Sequence, residues 1–596
     1  MAPPAHNDAR TMHPDTPAFL SVEASLTGRR WVGPDPTLSR QGEALAQQTG
    51  LPPAICAVLA TRGIPAAEAE GYLAPTLRDL LPDPRTMKDA ETAAGRLVAA
   101  VTGRERIAIF ADYDVDGGAS AALLIDWLRQ LGHSATLYVP DRIDEGYGPN
   151  DAAMRDLAAR HDLIVCVDCG TLSHGPIAAA KGADVVVLDH HLGGETLPPA
   201  LAVVNPNRQD ETGDLAHLCA AAVVFLILVE AGRQLRAVSA KTPDLMAMLD
   251  LVALATVADV APLIGVNRAF VRTGLQVLAR RTRPGLTALA DLARMDTAPT
   301  AYHLGFVLGP RINAGGRVGT ADLGARLLAT NDPHEAAALA ERLDHLNTER
   351  RDIEAAVRAA ALEQAEDRGL DAPLVWAAAD GWHPGVVGIV ASRLKETTHR
   401  PAVVIGFDGD AGKGSGRSIS GVDLGAAIQR LQADGLIEKG GGHKMAAGLS
   451  LSRAQLEPAM TRLGELLARQ GADRAGPGDL RCTGVLMPGA ATVELIEALE
   501  NAGPFGASAP APRFAIPDVT VKFAKEVGQG HLKLTVSDGM GATLDAIAFG
   551  AFDGPLGPAL AVPGTRAHLV GRLDVNWWRG QAKPQLRLDD AALVTG

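Results

Sequence analysis

The sequence contains little cysteine, with five residues of this type in a chain of 596. So low a content excludes a disulfide framework and fits a reducing compartment, so we expect a cytoplasmic protein. Cys166 and Cys169 form a C-x-x-C pair, but no second pair and no histidine at metal-ligand spacing accompany it. This pair therefore predicts neither a zinc site nor a redox centre. The opening stretch MAPPAHNDARTMHPDTP lacks both a basic and an apolar region, so no secretory signal is expected.

Long apolar runs are also missing from the chain. The longest lie at 218–229 and 245–258, shorter than the ~20 residues that a membrane span needs, and the second contains Asp250. These runs predict buried core helices, and we expect no association with a membrane.

There is no surplus of positive charge, since 56 Lys and Arg stand against 69 Asp and Glu, a formal net charge of −13. This balance argues against a polycation that coats nucleic acid. Local basic sites stay compatible with it, because phosphate binding depends on the local field. With 47% hydrophobic and 21% charged residues, the composition is that of a globular protein. The length exceeds one hydrophobic core and predicts about three to five domains.

Apolar periodicity divides the chain into five predicted parts. Between 86 and 260, short runs rich in Val and Ile alternate with helical stretches, which is typical of a parallel sheet covered by helices on both faces. The predicted strands there are RIAIF (106–110), TLYVP (136–140), DLIVCV (162–167), DVVVL (184–188) and LAVV (201–204). Residues 261–370 predict a helical connector, 371–474 a second α/β domain, and 475–596 a small antiparallel β-barrel or sandwich. Residues 1–85 predict short helices to which we assign no chemistry.

Ionisable residues follow three strands of the predicted parallel sheet. They are Asp112, Asp114 and Asp116 after the first, Asp168 after the third, and Asp189, His190 and His191 after the fourth. The carboxyl ends of parallel strands meet at one edge, where open α/β sheets bind ligands. A single Asp at such a place is more often the N-cap of the next helix. Because one helix needs one cap, the three carboxylates of DYDVDG call for another explanation.

A divalent cation explains why like charges are crowded at this edge. Neighbouring carboxylates raise each other's pKa unless something neutralises them. Aspartate oxygens with an imidazole nitrogen suit Mn²⁺ or Mg²⁺ better than structural zinc. Asp259, in ATVADVAPL, ends an apolar helix and could reach the same place. The acids suffice for two ions that share a bridging carboxylate, an arrangement used in phosphoryl chemistry.

Four of these motifs, in this order, resemble the DHH phosphoesterase superfamily: DYDVDG, VDCG, LDHH and TVADVAPL. Four further motifs are similar to the signatures of the RecJ family of single-strand-specific 5′→3′ DNA exonucleases: GPRINAGGRVG, GWHPGVVGIVASRL, GSGRSI and GGGHKMAAG. The tail, with HLKLTV and NWWRGQAKPQL, is similar to that family's C-terminal OB fold. From about residue 86 onward, the resemblance implies an α/β architecture: a parallel-sheet DHH domain, a helical connector, a DHH-associated substrate-binding domain and an OB-like barrel.

The resemblance also implies roles for individual residues. The implied metal ligands are Asp112, Asp114, Asp116, Asp168, His190 and Asp259, with Asp168 as the bridging carboxylate. His191 is expected to face the scissile phosphate and to complete the catalytic group with Asp168 and His190. Asp189 either supports the histidines or binds metal directly. Phe110 stands where many relatives have His, so the ligation of one metal is expected to differ here.

Glycine-rich segments with cations predict where a phosphate backbone or a 5′ end binds. GDAGKGSGRSISG and EKGGGHKMAAG combine close backbone approach with positive charge, although each alone could be a flexible turn. Neither fits G-x-x-x-x-G-K-[ST], which argues against a nucleoside triphosphatase. Two adjacent Trp on one strand point to opposite faces, so at most one is core and the other can stack on bases. The predicted nucleic-acid-binding residues are Arg311, Asn313, Lys413, Ser415, Arg417, His443, Lys444, Trp577 and Trp578.

The residues together with the resemblance predict a metal-dependent exonuclease that degrades single-stranded DNA with two Mn²⁺ or Mg²⁺ ions, in DNA repair and recombination; its 5′→3′ direction is implied by the resemblance alone. A helicase and a single-strand-binding protein are the protein partners to test. One alternative is a phosphodiesterase of the same superfamily acting on short oligonucleotides or cyclic dinucleotides, although such relatives usually lack an OB-like tail. Another is a non-catalytic replication or repair scaffold, which would be expected to have lost motif acids, whereas all are present here.

Overall fold

The computed structural model describes residues 17–141, 145–474, 476–578 and 581–594. Its contacts divide the chain into two compact units. One unit is Leu80–Gly476, and the other combines the described residues of 1–79 and 477–596. The first and last parts of the chain therefore belong to one unit.

The N-terminal segment consists of short elements in series. They are β1 (Trp31–Val32), α1 (Pro36–Thr49), α2 (Pro53–Thr61), α3 (Ala69–Leu73) and α4 (Leu77–Leu80). Both ends of α1 carry sequence signals. Asp35 caps its first turn by accepting a hydrogen bond from Thr37 N, and Gly50 ends it with a φ of 69°.

The predicted parallel sheet is confirmed in the larger unit. Its elements are α5 (Ala90–Thr102), β2 (Ile107–Ala111), α6 (Val115–Gln130), β3 (Ala135–Tyr138), α7 (Asp151–Arg160), β4 (Leu163–Val167), α8 (His174–Ala179), β5 (Asp184–Leu188) and β6 (Ala202–Val204). The strand order is β3-β2-β4-β5-β6, and every pairing is parallel. All residues of β2 and β4 are buried, which explains why these strands are continuously apolar.

A run of helices follows the sheet. They are α9 (Ala220–Ala237), α10 (Leu249–Ala258), α11 (Gly265–Ala279), α12 (Pro284–Leu292), a π-helical segment (His303–Leu308), α13 (Gly309–Val318), α14 (Leu323–Ala329) and α15 (Pro333–Arg368). The two longest apolar runs form α9 and α10, which are mostly buried. No helix in the described ranges combines the length and hydropathy needed to cross a membrane.

The second α/β domain contains a mixed sheet. Its elements are β7 (Val375–Asp380), α16 (Pro384–Thr398), β8 (Ala402–Asp408), β9 (Ala411–Arg417), α17 (Leu424–Ala433), β10 (Lys439–His443), β11 (Ala446–Ser452) and α18 (Leu456–Ala468). The strand order is β10-β11-β9-β8-β7, in which β7 pairs with β8 in parallel and the other pairs are antiparallel.

The two glycine-rich segments form strands β9 and β10 rather than flexible turns. A Cβ atom on Gly414 would lie 2.8 Å from Ile405 Cγ1, and one on Gly416 would lie 2.7 Å from Leu424 Cδ2. These glycines therefore make room for apolar side chains beneath the sheet. Sequence alone did not distinguish this packing role from turn formation.

The C-terminal part forms the predicted barrel. Its elements are β12 (Leu480–Arg481), β13 (Gly484–Val485), α19 (Val493–Glu500), β14 (Phe514–Val527), β15 (His531–Ser537), β16 (Thr543–Ala548), α20 (Leu556–Leu560), β17 (Arg566–Trp578) and β18 (Gln581–Leu593). Strands β14-β15-β16-β18-β17 pair in this order, and a β14–β17 pairing closes the ring. The β16–β18 pairing is parallel, whereas the other pairings in the ring are antiparallel.

The N-terminal segment contributes directly to the core of this unit. Strand β1 pairs in parallel with β12, aligning Trp31 with Leu480. Trp31 is fully buried, and its Nε1 donates a hydrogen bond of 2.9 Å to Asp590 Oδ2 on β18. On α2, Leu59 belongs to the same buried cluster as Phe514 of the barrel. The segment thus has a structural role that its sequence did not reveal.

We expect Trp31→Phe to lower the free energy of unfolding of this unit by about 1–3 kcal/mol, because Asp590 Oδ2 would lose its donor while staying buried. Urea denaturation followed by hydrogen exchange at β18 amides measures the change. Trp577→Phe is the matched control, since Trp577 is 61% exposed and should leave the midpoint unchanged. Equal midpoints for the wild type and Trp31→Phe would contradict the prediction.

Candidate metal centre

A tight turn between β2 and α6 carries the first group of acids. Asp114 is the N-cap of α6, and its Oδ1 accepts hydrogen bonds from Asp116 N at 2.9 Å and Gly117 N at 3.1 Å. A Cβ on Gly117 would lie 2.4 Å from Asp112 O, so only glycine fits the turn. Asp114 is therefore both the N-cap of the following helix and one of the three crowded carboxylates.

Asp116 is held by the start of another helix. Its carboxylate is buried and accepts hydrogen bonds from Ala220 N at 2.7 Å and Ala221 N at 2.8 Å, at the N-terminus of α9. Unpaired amides and the helix dipole favour a carboxylate at this position. This support was not foreseen, because the two partners are 104 positions apart along the chain.

Three carboxylates from separate segments converge on one imidazole nitrogen. His190 Nε2 lies 3.3 Å from Asp168 Oδ1, 3.7 Å from Asp116 Oδ2 and 3.8 Å from Asp259 Oδ2. Asp168 follows β4, and Asp259 is the C-cap of α10. A second group of ligand atoms, from Asp112, Asp114 and Asp168, lies within 4.8 Å of one another. We call Asp112, Asp114, Asp116, Asp168, His190 and Asp259 the acidic cluster.

The electrostatics of the acidic cluster fit a divalent cation. Burial, reinforced by mutual repulsion, raises the pKa of Asp116 and Asp168, and it raises the pKa of Asp259 to about 8. Asp168 Oδ1 is buried and receives no hydrogen bond from the described residues. Oxygen ligands with one imidazole suit Mn²⁺ or Mg²⁺. The residues at this edge of the sheet can therefore hold such an ion.

Without divalent ions, we expect this cluster to make stability fall as pH rises. Each of these carboxylates has a folded-state pKa above its unfolded value of about 4. Its contribution to the stability of the folded state is therefore fully present below pH ~4. It is lost as pH rises through the folded-state pKa, about 8 for Asp259. The Tm of EDTA-treated protein should therefore drop between about pH 5 and about pH 8.5. Added Mn²⁺ should remove most of the drop, because a cation neutralises the carboxylates.

Differential scanning calorimetry at several pH values measures both effects. Asp168→Asn is the informative variant, because it removes one of the repelling charges and should weaken both the pH dependence and the Mn²⁺ response. A Tm of EDTA-treated protein that is constant over this range would contradict the prediction.

Asp189 supports the histidines. Its Oδ1 lies 2.8 Å from His191 Nδ1 and accepts a hydrogen bond from His190 N at 2.7 Å, while Oδ2 accepts one from Thr171 N at 3.0 Å. Although burial opposes it, hydrogen bonds from His191 and Thr171 hold the pKa of Asp189 well below its usual range. Burial also disfavours a charged His191, but Asp189 outweighs it and raises the pKa of His191 to about 9. Of the two roles considered for Asp189, its contacts favour support.

Three polar residues near the cluster were missed by sequence reasoning. Tyr147 Oη donates to Asp168 O at 3.1 Å and lies 3.2 Å from His191 Nε2. Asn205 Nδ2 donates to His191 O at 2.8 Å, and Asn207 Nδ2 donates to His190 O at 2.6 Å. These side chains fix the loop that carries both histidines. They lie in loops, where no periodic pattern marks them.

The predicted phosphate-binding residues of the second α/β domain lie on or beside its glycine-rich strands. Lys413, Ser415 and Arg417 are on β9, His443 ends β10, and Lys444 follows it. Arg417 Nη1 donates to Ser415 Oγ at 2.9 Å. A Cβ on Gly388 of α16 would lie 3.1 Å from both Ser415 Oγ and Arg417 Nη2, so this glycine leaves room for the pair. Lys413, His443 and Lys444 are exposed.

The two candidates on the connector are engaged in internal contacts. Arg311 Nε pairs with Asp344 Oδ1 at 2.8 Å, and its Nη1 donates to Val307 O at 2.8 Å. Asn313 Oδ1 accepts a hydrogen bond of 2.9 Å from Val115 N, in the turn that carries the first acids. In the other unit, Trp577 is exposed, and the side chain of Trp578 lies outside the described residues.

Three family models match the chain. They are the DHH family, N-terminal domain, over residues 106–256, the DHHA1 domain over 371–469, and the RecJ OB domain over 482–590. A single-stranded-DNA-specific exonuclease RecJ from Dickeya dadantii is 39% identical over 568 residues, which cover 91% of this chain and 97% of the relative.

Two crystal structures of RecJ from Thermus thermophilus have the same fold. The complex with Mn²⁺ matches with a TM-score of 0.78 at 29% identity, covering 95% of this chain and 80% of that chain. The complex with Mg²⁺ matches with a TM-score of 0.73 at 27% identity, covering 95% and 79%. The chain therefore belongs to the RecJ family of single-stranded-DNA-specific exonucleases.

Proposed function

We propose that the chain is a 5′→3′ exonuclease that hydrolyses single-stranded DNA with two divalent ions, Mn²⁺ or Mg²⁺. The observation that carries this proposal is the convergence of Asp116, Asp168 and Asp259 on His190, at 3.3–3.8 Å. Two ions are supported by two groups of ligand atoms, one from Asp116, His190 and Asp259 and the other from Asp112, Asp114 and Asp168. Asp168 also lies close enough to His190 to join both groups.

When bound there, the ions would act as Lewis acids that stabilise charge on the attacking and leaving oxygens of a phosphodiester. The chain's own residues prepare the site for them. The turn at Gly117 and the N-terminus of α9 fix Asp112, Asp114 and Asp116 before substrate arrives. His191 uses Nδ1 to bind Asp189, and although burial opposes it, this carboxylate raises the pKa of the ring to about 9. Its Nε2 lies 3.2 Å from Tyr147 Oη and is proposed to donate a hydrogen bond to a phosphate oxygen in place of that contact.

We propose that single-stranded DNA binds to the cationic β-strands β9 and β10 of the second α/β domain. Ser415 and Arg417 form a hydrogen-bonded pair beside Gly388, Lys413 and Lys444 add exposed charge, and His443 adds an exposed imidazole. We propose Arg311 and Asn313 as positioning residues, because their contacts lie within the connector and with the metal-binding turn. Trp577 and Trp578 are proposed to stack on bases in the barrel unit.

The proposed compartment is the cytoplasm, in which the five buried free thiols stay reduced. The proposed protein partners are a helicase and a single-strand-binding protein, since one creates single strands and the other covers them. Repair and recombination are the proposed context.

The test is to incubate purified protein and Mn²⁺ with long single strands labelled at the 5′ or the 3′ end. We expect early release of the 5′ label, slow loss of the 3′ label and complete inhibition by EDTA. Blunt duplex of the same sequence should resist. Faster turnover of dinucleotides than of long strands would favour the short-substrate alternative. Strand binding without hydrolysis in either metal would favour the scaffold.

A further inference from the structure

Two aromatic side chains that the proposed mechanism does not use are exposed at the π-helical segment, Phe306 within it and Tyr302 immediately before it. Phe306 is 71% exposed and Tyr302 is 54% exposed. Their rings are stacked, with centroids 5.2 Å apart and an angle of 23° between the planes. His303 lies edge-on to Tyr302, with ring centroids 6.0 Å apart. We call Tyr302 and Phe306 the aromatic pair. The two rings are contiguous rather than scattered, and contiguous exposed apolar surface is a feature of binding sites.

The segment that carries the aromatic pair packs against the helix that carries Asp259. A Cβ on Gly305 would lie 3.2 Å from Val257 Cγ1, and one on Gly309 would lie 3.3 Å from Ala258 Cβ. Val257 and Ala258 are the last residues of α10, immediately before Asp259. One face of the segment therefore contacts the metal-binding helix, while the aromatic pair lies on its solvent face. Isolated π-helical turns are frequent at functional sites.

A cavity adjoins the face of the segment that contacts α10. Its volume is about 160 Å³, and its lining includes Gly305, Gly309, Asn313, Arg317 and Arg350. Asn313 also contacts the turn that carries Asp112, Asp114 and Asp116. Arg317 and Arg350 thus line a cavity beside the segment, and positive charge there is what a phosphate backbone passing the segment would require.

We propose that Tyr302 and Phe306 form a stacking platform for nucleobases of the strand whose phosphodiester lies at the acidic cluster. This inference rests on the proposed function. Nucleobases are the favoured occupant because exposed, stacked rings combined with a nearby arginine-lined cavity are typical of surfaces that bind single strands. Stacking also accepts every base, which suits an enzyme that degrades a strand regardless of sequence. A protein partner or a second copy of the chain would contact the rings through apolar side chains, and its binding would not depend on nucleobases.

The first test replaces Phe306 by Leu, which keeps an apolar side chain and removes the flat ring. We expect Phe306→Leu to raise the KM for single-stranded DNA about ten-fold and to leave kcat within about two-fold, since stacking contributes to strand binding rather than to chemistry. Phe306→Tyr, which keeps an aromatic ring, should have the wild-type KM. Val238→Ala is the control, because Val238 is an exposed apolar residue of the same unit, 65% exposed, after α9. An unchanged KM for Phe306→Leu would overturn the platform.

The second test removes the bases instead of the ring. On strands made of abasic nucleotides, wild type and Phe306→Leu should have the same KM, because neither can stack. If Phe306→Leu raises KM equally on normal and abasic strands, Phe306 acts through backbone contact or folding, and the proposal is overturned. Sedimentation equilibrium adds a further outcome: a dimer that is lost in Phe306→Leu would identify a second copy as the occupant and overturn it as well.

The platform can be examined separately from hydrolysis. In EDTA, a strand with 2-aminopurine near its 5′ end should lose fluorescence on binding wild type and keep it with Phe306→Leu. Quenching by wild type without nuclease activity in Mn²⁺ would refute the proposed function and leave the platform standing. Activity in Mn²⁺ without any ring-dependent quenching would refute the platform alone.

Discussion

Asp168→Asn is expected to lower kcat on single-stranded DNA by about 1,000-fold or more, because a shared metal ligand supplies several kcal/mol of charge stabilisation in the transition state. Of the three carboxylate oxygens around His190 Nε2, Asp168 Oδ1 lies nearest, at 3.3 Å, and the Asp168 carboxylate also groups with Asp112 and Asp114. Asparagine keeps the volume of the side chain. It also tolerates the φ of 60° at this position, where alanine would be strained. The substitution therefore tests the charge itself.

Strand affinity should survive Asp168→Asn, since the change removes a negative charge from a site that receives a phosphate. Single-turnover kinetics and Mn²⁺ titration calorimetry measure the loss of rate and of metal affinity. Asp156→Asn is the control, because Asp156 is an exposed residue of α7 that pairs only with its helical neighbour Arg160 among the described residues. Turnover of Asp168→Asn near that of wild type would refute the assignment of the metal site.

Arg283→Met is expected to destabilise the larger unit by about 3–5 kcal/mol, because it leaves the buried Asp250 without its cation and Asp126 with Arg129 alone. Arg283 Nε lies 2.8 Å from Asp250 Oδ2, and Nη1 lies 2.6 Å from Asp126 Oδ2. Asp250 is 2% exposed and belongs to α10, the helix that ends at Asp259. The ion pair therefore anchors the helix that brings Asp259 to the acidic cluster.

Urea denaturation with hydrogen exchange at α10 amides measures this loss. Arg281→Met is the control two positions away, since Arg281 forms an exposed pair with Asp291 that is worth less than about 1 kcal/mol. Replacing Asp250 and Asp126 by Asn in the Arg283→Met background should recover part of the stability, because no charge is then left buried. If Arg283→Met and Arg281→Met have the same stability, the anchoring role is wrong.

The parallel sheet and the edge that carries the acids were predictable because each depends on local sequence. Buried parallel strands are continuously apolar, and Asp112, Asp168 and Asp189 each follow such a run directly. The topology then brings their carboxyl ends together without further information. Asp259 was proposed from its place at the end of an apolar helix, and the motif TVADVAPL then supported this.

Partners that are distant along the chain could not be predicted in this way. Arg311 has the sequence context of a phosphate ligand, yet it pairs with Asp344 on the next long helix. Tyr147 lies in a loop whose path depends on contacts with Asp168 and His191. The two-residue strands β1 and β12 are too short to show alternation, so their pairing left no signal in the sequence.

The contact between Trp31 and Asp590 can form only after almost the whole chain has been synthesised. The two residues are 559 positions apart. At 5–20 residues per second, a ribosome needs roughly half a minute to two minutes between them. The larger unit can emerge and fold within that interval. During this time Trp31 of the nascent N-terminal segment still lacks its partner Asp590. A chaperone that shields early apolar segments would therefore act on this end of the chain, and premature termination would leave the segment without its only described acceptor for Trp31 Nε1.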